Sequence, residues 1–279
     1  TLAYASVNAD GIVRNLGTLN VTGTYAIGDE GETTFAGDTK VGTLSIGRTA
    51  KTMLMARDGQ EAVLHNTGKT YADELDLVSG QVMVEKDSIL AGKSLKNGAV
   101  GSDIIVSAGG TFGFSHDKSS LENALKNYTG SKADKAILAL NTDLHFGQGG
   151  SLTVGPVDEA NGTVNLGSDA LLLLGTTQLH GEALLNGESS QHLHVEDGAV
   201  IAMTDDLLWG NHYLMKGFDD ASTAEILKVG ILDKDGKALG TKKNDKGIFV
   251  TVGSDNILEK DKSYRMVNQM NWLLDGRQD

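Results

Sequence analysis

The stretch Gly17-Thr-Leu-Asn-Val-Thr-Gly23 sets two apolar residues, Leu19 and Val21, two positions apart between glycines. Side chains two apart share one face of an extended chain, so the phrase reads as a short strand buried on one side. The pattern returns at Leu44/Ile46, Leu75/Leu77, Ile104/Val106, Leu152/Val154, Leu171/Leu173 and Leu193/Val195. Successive pairs begin 25, 31, 29, 48, 19 and 22 residues apart. A strand that returns at such intervals suits a coiled β-solenoid, in which each turn of backbone revisits the same edge. Solenoids work through long surfaces, and that leans against an enzyme.

Composition agrees with many tight turns. Thirty-six glycines in 279 residues exceed the usual share of about 7%, and the single proline falls far below the usual 5% or so. Proline cannot donate to a strand ladder, and inner strands of a stack have no free edge to excuse it. The net charge of −13 leaves no basic stripe to neutralise phosphates, which excludes nucleic acid as a partner. The one Lys-rich stretch, Lys234 to Lys246, is broken by Asp235, Gly236 and Asp245 and reads as a solvated hairpin. Acidity of this size keeps a broad β surface soluble and opposes edge-to-edge pairing.

There is no cysteine. Cytosolic proteins can lack it, and so can a chain that crosses an oxidising periplasm unfolded, where a stray disulfide would block export. No apolar run approaches the roughly 18 residues of a membrane helix. The opening Thr1-Leu-Ala-Tyr4 is neither a signal peptide nor a start with initiator methionine, and the expectation is an excised piece of a longer chain.

Along residues 1 to 115, strands alternate with Gly, Asn and Asp turns. Ser79-Gly80 separates the alternating runs 75–77 and 81–84, and Asp10-Gly11 and Asp58-Gly59 read as turns whose glycine supplies positive φ. One coil then holds two or three strands. The 48-residue interval has a visible cause. Ser119 and Glu122 have capping-box spacing, followed by Leu121, Ala124, Leu125 and Tyr128 at helical periodicity, with Gly130 at the expected C-terminus. Ser131 and Asp134 open a similar pattern through Ala133, Ala136, Ile137 and Leu140. Two helices, 119–129 and 132–140, are therefore predicted as an insertion at about 117–141.

Strands resume after Gly149. The run Leu171 to Leu174, bounded by Gly167 and Gly175, reads as a strand covered on both sides. After Asp205-Asp206 the aromatics Trp209, Tyr213, Phe218, Phe249, Tyr264 and Trp272 concentrate and the strands lengthen. The runs 226–232 and 247–252 look like a hairpin with a long polar tip. Residues 1–205 are thus expected to form the solenoid, and 206–279 a C-terminal capping segment that covers an otherwise open end.

Candidate chemistry is thin. His192 and His194 lie on one side of a strand, but a metal needs three or four converging ligands. His180, Glu196 or Asp197 would have to be brought in by the fold, so an exposed pair is the plain reading. Asp233-Lys-Asp235-Gly236 resembles the opening of a calcium loop, yet its twelfth position is Asn244 and its flanks look like strands, so a hairpin turn explains it better. Asp73, Glu74 and Asp76 cluster at a strand, and Asp205-Asp206 precedes Leu207. A glycan-cleaving site needs such acids close together on one face, but 37 acids produce clusters by chance. Nucleophile and phosphate-loop motifs are missing. No catalytic, cofactor-binding or metal residue is assigned. The helical insertion packs on neighbouring coils or protrudes towards a partner.

The phrases 17–23, Gly150-Ser-Leu-Thr-Val-Gly155 and Gly162-Thr-Val-Asn-Leu-Gly167, with Asn211-His-Tyr-Leu-Met-Lys-Gly217, resemble passenger domains of Gram-negative autotransporters. The likeness covers about residues 10–218 and is one of texture, shared with large filamentous-haemagglutinin-type exoproteins. It implies a mainly β chain forming a right-handed parallel β-helix, extracellular or on the cell surface, with the outer-membrane β-barrel of the same precursor elsewhere. The protease motif of some members is missing. The expected function is non-enzymatic adhesion or cell–cell self-association, with a host surface ligand, a glycan or another copy of the chain as partner. A polysaccharide-degrading β-helix enzyme and a structural stalk or phage-fibre segment are the alternatives.

Overall fold

Strands pass back and forth between two parallel sheets. A computed structural model describes residues 1–8, 10–47, 61–158, 160, 162–178, 183–188, 191–204, 207–208, 213–216, 229–232, 238–244, 247–251, 257–258 and 263–268. The first sheet stacks Ala5–Val7, Leu19–Ile27, Asp38–Ile46, Lys69–Leu77, Ile89–Leu95, Thr111–Phe114, Ala136–Thr142, Ala170–Gln178 and Val200–Met203, each parallel to the one before. The second stacks Ile12–Asn15, Glu32–Phe35, Val63–Asn66, Gln81–Val84, Asp103–Val106, Ser151–Val154, Val164–Leu166 and Leu193–Val195, again all parallel. A third parallel ladder starts at the Val100–Phe146 bridge and continues through Leu144–His145, Ala183–Asn186 and Tyr213–Lys216. Two strands per passage therefore become three, as the sequence suggested.

The i, i+2 pairs explain the core. In the first sheet Leu44, Leu75 and Leu95 are register partners, as are Ile46 and Leu77, and each pair lies on the inner face. Ile104/Val106 and Leu152/Val154 face them from the second sheet, fully buried. Tyr25 packs edge-on against Phe35 at 5.0 Å between ring centres and its hydroxyl lies 3.0 Å from that of Thr33, joining the two sheets. One inner hydroxyl, that of Thr39, is buried with no partner. Leu171/Leu173 differ from the other pairs. They face outward into a second apolar cluster, while Leu172 and Leu174 fill the core, so this strand is covered on both sides.

Turns follow close approach between successive passages. Gly17, Gly37 and Gly68 occupy equivalent turns into the first sheet, and Lys69 N donates to Gly37 O and Ile89 N to Gly68 O. Gly80 takes φ +83° as the Ser-Gly turn requires. At Asp10-Gly11 the aspartate, not the glycine, has the left-handed backbone, with φ 65°. Asp58-Gly59 lies outside the described residues.

The insertion departs from expectation. One α-helix, Lys118–Asn127, takes the place of a second-sheet strand between Thr111–Phe114 and Ala136–Thr142. Its N-cap is Asp117, whose carboxylate accepts from Ser120 N at 2.7 Å, rather than Ser119. The second helix predicted at 132–140 does not form. Residues 136–142 are a first-sheet strand in register with 170–178. Its physical reason is two-sided burial: Ala136, Leu138 and Leu140 face the core, and Ile137 and Ala139 face the helix. A run apolar on both faces satisfies a helical template as readily as a strand.

Beyond the parallel pairing of Tyr213–Lys216, the described C-terminal strands pair antiparallel. Ser263–Asn268 pairs with Val200–Met203 and with Val229–Leu232. The expected long-tipped hairpin is instead two successive ones, since Ala238–Asn244 pairs with both Val229–Leu232 and Gly247–Thr251. Gly247–Thr251 returns to Tyr213–Lys216. Asp205, Asp206 and Asp233–Gly236 lie outside the described residues.

Candidate functional site

The outward-facing residues of the first sheet change character along the stack. One outer row runs Asp38, Lys69, Ile89, Thr111, Ile137, Leu171, and the next runs Asn20, Lys40, Tyr71, Ala91, Gly113, Ala139. Early strands carry charge and later ones are apolar. The helix settles on the apolar part, with Leu121 and Tyr128 buried and Leu125 half-buried against Ile137, Ala139, Leu171 and Leu173. Burying Leu121, 3% exposed, contributes on the order of 2 kcal/mol to holding it there. Two further ties fix its ends. Tyr71 Oη shares its proton between Ser115 O and His116 O, each 3.2 Å away, and Tyr128 Oη lies 3.0 Å from Ser263 Oγ.

Where the sheet is still charged, the helix start stands beside it as a wall. The result is an open groove of about 680 Å³. Lys40, Lys69, Lys93 and Tyr71 form its floor together with Ile89, and His116 to Ser119 with Glu122 form its side. Burial pushes the Tyr71 hydroxyl up to about 12, and the negative charges of Asp73 and Asp117 add to the effect. The Asp117 carboxyl is held below the usual carboxylate range, first by the backbone N–H of Ser120 and then by its hydroxyl. On the other side of the helix a smaller cavity of about 310 Å³ opens over Ala139, Leu173 and Thr204.

The acids singled out in the sequence do other work. Ser45 Oγ donates to Asp76 Oδ2 at 3.1 Å, and Asn97 Nδ2 to Asp76 Oδ1 at 3.0 Å. Thr43 Oγ1 donates to Glu74 Oε1 at 3.3 Å. Asp76 and Glu74 thus tie neighbouring strands on the outer face. Asp73 alone of the three lines the groove.

His192 and His194 lie on the outer side of the second sheet, with His194 in register with Asn165. His194 Nε2 sits 3.5 Å from Glu196 Oε1. Glu196 is itself a loop clamp, accepting from Asp158 N at 2.6 Å and Ser168 N at 3.2 Å. Among the described residues no three His, Asp or Glu side chains are placed to hold a metal ion. His180 lies outside them.

Sequence reasoning missed the lysine group. Lys40, Lys69 and Lys93 are distant in sequence and share no motif, and only strand register brings them onto three consecutive strands. Compared with family models, curated proteins and solved structures, the chain matches none.

Proposed function

We propose that the chain is a non-enzymatic passenger segment of a Gram-negative autotransporter, displayed outside the cell and acting in adhesion or cell–cell self-association. In this reading residues 1–205 wind as a right-handed parallel β-helix and 206–279 cap it. The outer-membrane β-barrel of the same precursor serves its export. A host surface ligand, a glycan or a second copy of the chain is its partner.

The observation that carries the reading is the register. Strand after strand pairs in parallel with the strand of the preceding passage in two sheets, which leaves a long outer face on the second sheet and, before the helix, another on the first. Side chains on such faces repeat about every 4.8 Å along the stack, and weak contacts repeated in this way add through multivalency. The use of Asp76 and Glu74 as strand ties favours a structural role for those acids over catalysis. The antiparallel strand Ser263–Asn268 against Val200–Met203 favours a cap.

Self-association is tested by light scattering of the purified chain and by clumping of cells that display it. With 13 excess negative charges per chain, association between copies should strengthen as ionic strength rises and repulsion is screened. Absence of association at every salt concentration would eliminate self-recognition and leave a heterologous ligand.

A further inference from the structure

We propose that the groove beside the helix binds an acidic oligosaccharide, whose carboxylates meet Lys40, Lys69 and Lys93 and whose hydroxyls meet Asp38 and Asp73. This deepens the adhesive reading above by naming a face and a ligand class, and it rests on that reading.

The volume of about 680 Å³ falls within the range of small-ligand sites. All three lysines are exposed, and no described ion pair contains them. Of the other described lysines, Lys86 pairs with Asp134, Lys118 with Glu122 and Lys135 with Asp169, while Lys96 and Lys126 stand singly, away from the groove. On the groove wall the carboxylates are committed too, Asp117 to Ser120 N and Glu122 to Lys118. The floor keeps three ammonium groups and the carboxylates of Asp38 and Asp73 for a visitor. In a chain of net charge −13, the floor of this groove sets three lysines against two aspartates.

The mixture of signs narrows the visitor. A bare polyanion would face Asp38, the register neighbour of Lys69, and Asp73. A neutral sugar would bring the three ammonium groups no charge beyond that of Asp38 and Asp73 on the floor itself. An acidic sugar carries both a carboxylate to accept from lysine and hydroxyls to donate to aspartate. Its C–H faces suit Ile89. The lysines stand on three consecutive strands, so they span roughly 10 Å along the stack, a reach for several sugars rather than one.

The test is calorimetric titration of the full chain with a short oligomer of mannuronate, beside the carboxyl-reduced oligomer of the same linkage. The mannuronate oligomer should bind, more weakly as salt is raised, and at least about tenfold more tightly than its reduced counterpart. Lys69→Ala and Lys93→Ala should each weaken it about twofold to fivefold, and Lys86→Ala should leave it unchanged. Asp38→Asn and Asp73→Asn should weaken it as well. No binding of mannuronate, equal binding of the reduced oligomer, or indifference to both lysine variants would overturn the proposal. So would tighter binding of a heparin oligosaccharide, which would mark a site for charge alone. Beads coated with the chain separate this inference from the adhesive reading. Adherence to host cells without any binding of mannuronate sinks only the groove, whereas sugar binding without adherence or self-association sinks adhesion.

Discussion

Gly68→Ala should destabilise the protein strongly, while Gly17→Ala, in the equivalent turn at the start of the stack, should not. Both turns enter the first sheet, and neither glycine has left-handed backbone. Only their neighbours differ. A methyl group on Gly68 would lie 2.6 Å from Ala36 C and closer still to Gly37 O, in backbone that cannot swing aside. A methyl on Gly17 meets nothing within 4 Å. Relieving the clash at Gly68 pushes two turns apart and breaks the bond from Lys69 N to Gly37 O. Overpacking of this kind costs about 1–3 kcal/mol and the lost hydrogen bond about 1 kcal/mol more, giving roughly 2–4 kcal/mol in all. In a chain of this length that lowers Tm by about 4–10 °C. Gly17→Ala is expected between no change and about 1 kcal/mol of stabilisation, through reduced freedom of the unfolded chain. Thermal melts and urea titrations of the two variants decide the matter. Equal midpoints would refute the close stacking of successive turns on which the whole architecture depends.

Thr39→Val removes a buried hydroxyl that has no partner and keeps the side-chain shape, so it should stabilise by about 1 kcal/mol in urea titration. Leu121→Ala should cost about 2–5 kcal/mol of helix docking, seen as faster amide exchange across 118–127 with core strands still protected. Tyr71 should be among the last tyrosines to ionise in an ultraviolet titration, near pH 12. Its neutral form is favoured by folding, so its contribution is whole below the ordinary tyrosine pKa and disappears as pH rises through the raised value. Asp117 has the opposite sense. Its cap is intact above the ordinary carboxylate range and fails as pH drops through the lowered value, so the Ser120 amide should shift in NMR spectra only in more acidic solution than ordinary aspartates require.

Much of the fold was readable from local phrases because each strand carries its own evidence. Leu44/Ile46 and Leu152/Val154 alternate with polar residues, so period two is visible before any partner is known. The run 171–174 could be placed on a doubly covered strand because glycines bound it. Ala136 to Leu140 could not, since both faces are apolar and alternation vanishes. Ser119 and Glu122 gave the right helix with the wrong cap, as Asp117 lies two residues earlier and starts the helix there by accepting from Ser120 N. The groove was illegible for a different reason. Its lysines meet only through register, and register depends on the lengths of every intervening turn.

Tyr128 and Ser263 are 135 residues apart, yet their hydroxyls touch. Most other contacts join neighbouring passages and can form as soon as two have been made. This one must wait until residue 263 has been laid down, because its far member lies on the antiparallel strand Ser263–Asn268. It therefore acts as a late clasp in assembly, securing the end of a helix already seated by its apolar face once the last described strand has arrived.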